Sequence, residues 1–283
     1  MKKLFGVLAL ALTGTACQHA NSAGDVALAA TRPSQGAAAA PLAAALRADA
    51  SAAVPAALLR QYDLSPLWQG RYESASPELQ QPLDGFFGDD YRRIAFYFTE
   101  AHRDGQQPGV YHVKGKDRFQ KTVSSFEGTI TITALTPMSA AMADSAGYME
   151  LDSTNHVYTA KAAFSFREQP GAISGEFSGT GYLDFYRDSK GQLEMATTMM
   201  YDSPIAPARG AGILYQGQWT SYSTHARKAL LLSGNVFTTA PAALSHFGIG
   251  DRSDSFNPKY AKLGWNDYWQ NDEWWADAPK ASL

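Results

Sequence analysis

Three stretches decide the architecture: FEGTITI (residues 126–132), FSGTGYL (177–183) and YQGQWTS (215–221). Each begins aromatic, polar, glycine, within what reads as a strand. Glycine weakens a strand interior, so its return at one place asks for a reason. Side chains two apart on a strand share a face. Gly128, Gly179 and Gly217 therefore lie in phase with Phe126, Phe177 and Tyr215, and Gly181 follows Gly179. An inward glycine gives up core volume. It is required where a sheet bends sharply, or where a ring must lie over bare backbone. Three such sites predict a sheet that curls on itself and closes, which also removes exposed edges. LWQGRY (67–72) repeats the pattern at Trp68 and Gly70, and is expected to add a strand or a plug.

The surrounding chain alternates as antiparallel strands with one wet face do. Ile94, Phe96 and Phe98 fall on one side of RIAFYFTE, and Tyr158, Ala160, Ala162, Phe164 and Phe166 on one side of HVYTAKAAFSF. Leu183 and Phe185 continue the phase of Phe177, LEMATTMMY aligns Leu193, Met195, Met199 and Tyr201, and Trp219 follows Tyr215. GVYHVKGKDRF is more mixed, GYMELD is short, and ALLLSGNVF is apolar without clear alternation. Turns such as RDGQQPG and RDSKGQ punctuate the runs. The expected fold is all-β: an antiparallel barrel of eight to nine strands over residues 91–237, with a β-sandwich as the alternative, and a helical, aromatic C-terminal tail.

The N-terminus addresses the chain. MKK precedes LFGVLALALTGTA, a basic start, a short apolar run and small residues, as in a secretory signal. Cys17 is the one cysteine among 283 residues, so the mature chain has no internal disulfide. LTGTAC resembles the bacterial lipobox, with Gly14 where that pattern prefers Leu, and implies lipidation of Cys17; ordinary cleavage, for example after Ala23, is the other reading. A diacylated cysteine suffices for stable anchoring. Gln18 in place of Asp, by resemblance to Gram-negative lipoproteins, implies the periplasmic side of the outer membrane. The net charge is −3; without Lys2 and Lys3 it is −5, 22 basic against 27 acidic side chains. Such a balance excludes nucleic acid as a partner.

Five segments follow: a signal peptide (1–17), an Ala-rich tether (18–59), a lead-in (60–90), the barrel (91–237) and a docking tail (238–283). The strand count, inward glycines and secreted context make residues 91–237 resemble lipocalin-like or calycin barrels, with FSGTGYLDFY and YQGQWTSY the nearest matches. The lipocalin Gly-x-Trp of the first strand is missing at that place. GVYHVKGKDRFQKTVSSFEGTITI resembles a motif of uncharacterised secreted bacterial proteins.

No motif names a reaction. The six histidines lack HExxH or helical i,i+4 spacing, no GxSxG elbow occurs, and no Gly-rich phosphate loop opens a helix. Paired acids such as Asp89 and Asp90, or Glu150 and Asp152, read as solvated charges. No catalytic residue, metal or cofactor is assigned. Phe164, Phe166, Phe185, Met195, Met199 and Trp219 would line an oily interior, methionine adapting to irregular shapes, and a small barrel either fills with side chains or holds one small ligand. The expected function is therefore non-catalytic binding of a small apolar ligand. Two alternatives stand beside it. Trp265, Trp269, Trp274 and Trp275 could form an aromatic platform against carbohydrate or the cell envelope. An enzyme acting on a lipid or isoprenoid would use His112 or His156.

Overall fold

A computed structural model describes residues 56–148, 151, 155–171, 173–198, 203–239, 257–266, 268 and 272–276. The signal, Cys17, Met199 and Trp269 lie outside them, as does the tether up to residue 55. Nine strands follow in order: β1 (Leu83–Phe87), β2 (Arg92–Arg103), β3 (Val110–Phe119), β4 (Thr122–Pro137), β5 (Val157–Glu168), β6 (Gly175–Arg187), β7 (Leu193–Met195), β8 (Ile213–Ser221) and β9 (Arg227–Ser233). All pair antiparallel in the order β5-β4-β3-β2-β1-β9-β8-β6, and a β5–β6 ladder closes an eight-stranded barrel. β7 extends β6 alone, through Phe185 opposite Met195, beyond the end of β8. The barrel is thus a closed up-and-down meander. Its first strand, β1, lies in the stretch read from sequence as lead-in.

The glycines sit where two walls approach. Gly179 of β6 is the register partner of Gly217 of β8. A Cβ on Gly179 would fall 2.2 Å from the Gln216 carbonyl oxygen, and one on Gly217 2.0 Å from that of Ser178. Neither contact is tolerable, so the bend between these strands requires bare backbone. Gly181 serves the other purpose: the Tyr215 ring lies 3.1 Å from where its Cβ would stand. Register shifts at Phe98/Glu100 in β2 and Ile132/Ala134 in β4 add curvature.

The meander defines two mouths. The β2–β3 turn marks the upper one; the turns 88–91, 120–121 and 222–226 mark the lower. Two short helices fill the upper mouth: Ala56–Gln61, which begins within the stretch read from sequence as tether, and Ser65–Trp68 of the lead-in. Pro66 starts the second and Gly70, at φ +87°, turns the chain out of it. A strand through Trp68 and Gly70 is therefore not formed; Arg71 and Glu73 make only isolated bridges. Arg103 Nη1 donates to the carbonyls of Leu59, Arg60 and Tyr62 at 3.1–3.3 Å, tying the plug to β2.

The outer wall is not uniformly wet. Tyr260 and Trp265 of the tail, with Val236, pack on Phe86 of β1. Trp265 Nε1 donates to the Tyr91 carbonyl at 2.6 Å. Arg93, paired with Asp84 at 2.6 Å, lies over the rings of Trp265 and Tyr268. The tail therefore docks along the wall of β1, β2 and β9, not across an end.

Candidate binding site: the barrel interior and its mouths

Period-two alternation sends one ring after another into the lumen. Phe96, Phe98, Phe126, Phe164, Phe166 and Tyr215 contact each other with centroids 4.9–6.5 Å apart. Five of the predicted lining residues are described, and all five are buried in this cluster: Phe164, Phe166, Phe185, Met195 and Trp219. They are spread along its length. Phe185 lies at the upper mouth against Tyr62 and Tyr158. Trp219 lies at the lower, against Phe87.

Trp68, missed as a lining residue because it precedes the barrel strands, enters from the plug. Its ring stands 6.5 Å from Tyr111 and 6.0 Å from Tyr215. Tyr111 accepts the Leu64 N–H at 3.3 Å. The Trp68 indole N–H and the Tyr215 hydroxyl are buried without a hydrogen-bond partner. Burial raises Tyr215 well above the usual tyrosine range. Unpaired buried polar groups cost about 1–3 kcal/mol each, so the lumen holds polar capacity that its own rings leave unused.

Two clefts open beside the plug. One, of about 620 Å³, is lined by Arg60, Asp63, Ser65, His102, Arg103 and Asp104. His112 Nε2 meets Asp104 Oδ2 at 2.9 Å, and the two histidine rings stack at 5.3 Å. His112 and the N–H groups of Gln107 and Gln106 hold the Asp104 carboxyl down at about 2. The other cleft, about 420 Å³, is lined by Tyr62, His156, Tyr158, Arg187 and Lys190. Of the two histidines weighed as acid or base, His156 lines this second cleft, while His112 stands against Asp104 beside the first. Among the described residues no group of three or more His, Cys, Asp or Glu could hold a metal, and no helix is long and apolar enough to cross a membrane.

The lower mouth carries charge that sequence reading passed over. Asp117 of β3 and Glu168 of β5 lie on inward faces, in phase with Tyr111 and Val113, and with Phe164 and Phe166. Glu168 Oε2 accepts from Trp219 Nε1 at 2.6 Å and from the Gly175 N–H at 2.7 Å. Lys228, opposite Trp219 in the β8–β9 register, extends over the rings there.

The predicted platform is divided. Trp265 is fully buried. Trp275 stacks on Tyr97 at 4.5 Å and 8°, its carbonyl accepting from Lys116 at 2.7 Å. Trp274 lies under the Arg118 guanidinium at 5.0 Å, and Arg118 pairs with Asp272. Both are half-buried. Comparison of the chain with family models, curated proteins and solved structures gives no match.

Proposed function

We propose that the chain is a non-catalytic binding module of the bacterial envelope. Cys17 carries its lipid anchor, the Ala-rich segment is its tether, and its barrel receives a small apolar ligand in the place that Trp68 takes. The observation that carries this reading is the plug. Trp68 fills the lumen from a four-residue helix that belongs to no wall strand, so it can leave without unpairing the barrel. Its indole N–H and the Tyr215 hydroxyl stand unpartnered there. A ring-sized apolar molecule carrying one polar group would replace the indole and pair with that hydroxyl.

The test is the native mass of the mature protein, residues 17–283 with its covalent lipid, purified gently from the envelope, beside that of Trp68→Ala. Expected is a discrete extra mass, lost on denaturation and more fully occupied in the variant, because the indole no longer competes. The mass of polypeptide and covalent lipid alone in both proteins, with the variant still folded by circular dichroism, overturns the reading.

A further inference from the structure

At the lower mouth one ammonium faces three rings. Lys228 Nζ lies 4.8 Å from the Phe87 centroid, 5.4 Å from Phe119 and 5.6 Å from Trp219. The rings come from β1, β3 and β8, so no single element carries the arrangement. Phe87 meets Phe119 at 4.8 Å and 68°, and Trp219 at 5.8 Å and 77°. Edge-to-face packing leaves ring faces free, and a ring face attracts a cation. Three faces around one nitrogen are the recognition geometry of an aromatic cage.

Carboxyl groups lie on the same inward end. Glu168 binds the edge of Trp219 through the indole N–H, which orients that ring. Asp117 stands two residues before Phe119, is 2% exposed, and its Oδ2 has no hydrogen-bond partner. A buried carboxyl oxygen without a donor is costly. Lys228 covers the cage from its rim without supplying that donor. Its residue is exposed and its stem flexible, so it can withdraw while the rings stay in place.

We propose that the lower mouth is a binding site for a small alkylammonium ion, in which Lys228 acts as the chain's own competitor. The ligand's charged nitrogen would sit among Phe87, Phe119 and Trp219, and an N–H would reach the free oxygen of Asp117. This site lies at the opposite end of the barrel from the plug and stands independently of the apolar-ligand reading.

The test uses n-butylammonium, with n-pentanol as a neutral probe of similar shape. Each is titrated calorimetrically into the mature protein, into Lys228→Ala, and into Lys228→Ala combined with Asp117→Leu, which removes the acceptor oxygen. Expected is binding of n-butylammonium to Lys228→Ala at least tenfold tighter than to the unsubstituted protein. The double variant should lose most of that gain, and n-pentanol should bind none of the three comparably. Equal uptake of n-butylammonium and n-pentanol would mark a vacated apolar hole, and no uptake by folded Lys228→Ala a purely structural cage; either overturns the proposal. Should Lys228→Ala not fold, Lys228→Gln keeps much of the stem, removes the charge and is read the same way.

Discussion

Two buried aspartates show how much one side chain's surroundings decide. Asp184 turns outward from β6 and is wholly buried, yet accepts from Thr159 Oγ1 at 2.6 Å, Tyr148 at 2.9 Å and the Ala208 N–H at 2.9 Å. Burial lifts it to about 6, and these three donors limit the rise. Asp117 has no comparable shell, and burial, reinforced by Glu168, pushes it up to about 8. An unfolded aspartate titrates near ~3.9. The native protein therefore holds the Asp117 proton more tightly than the unfolded chain does. Its contribution to stability is fully present below about pH 4 and is lost as pH rises through about 8. Asp184 contributes with the same sign, in a window that closes near 6. Asp117→Asn should thus flatten the upper part of the decline, between pH 6 and 8, in denaturant midpoints measured across pH; an unchanged slope there would contradict this origin. Glycine is equally exacting. Gly217→Ala places a methyl 2.0 Å from the Ser178 carbonyl oxygen, and overpacking of this kind costs about 1–3 kcal/mol. Urea unfolding of that variant checks it. The glycine phase was legible because side-chain period is local. The Gly179–Gly217 pairing was not, because register joins residues 38 apart in sequence.

Among elements, the tail and the plug depend on tertiary contact. The tail buries Trp265 against Phe86 and satisfies its N–H at Tyr91. Trp265→Ala should cost about 3–5 kcal/mol, as large-to-small core changes do. Trp274→Ala removes a half-buried ring and one cation–π contact with Arg118, and should cost about 0.5–1 kcal/mol. Thermal unfolding of the two variants ranks them, and equal losses would argue against this placement. The sequence showed that four tryptophans cluster near the C-terminus, but not which faces they turn to the wall. That depends on Phe86, Tyr91 and Arg93, more than a hundred residues earlier. The sequence left this segment open between a strand and a plug for a local reason. Trp68–Gln69–Gly70 matches the strand pattern, but Pro66 favours a helix start and Gly70 takes a left-handed conformation. β7 is short for a related reason: only Leu193–Met195 lies beside β6, and Thr197 already bridges to Ala211.

For the whole molecule, closure means that each wall strand is paired on both sides, so no edge can fray alone. Native-state hydrogen exchange should find the wall strands opening together at the global stability, whereas the segment 65–68 should exchange earlier; independent opening of β5 or β6 would contradict a closed wall. The proposed lipid anchor belongs to this scale too: if Cys17 carries it, Cys17→Ser should move the protein from the membrane fraction to the soluble fraction, and an unchanged distribution would overturn that proposal. The sequence by itself determined the all-β class, the inward phase of the strands and the need for bare backbone at the tight bends. These follow from alternation and from steric size, both local properties. Only the tertiary structure decided that Trp68 fills the lumen, that the tail lies along the wall, and that Asp117, Glu168 and Lys228 meet at one mouth. Lys228 shares the inward phase of Leu230 and Leu232, and Asp117 that of Val113. Yet a charge in an inward position reads as an interruption until closure brings rings from three strands around it.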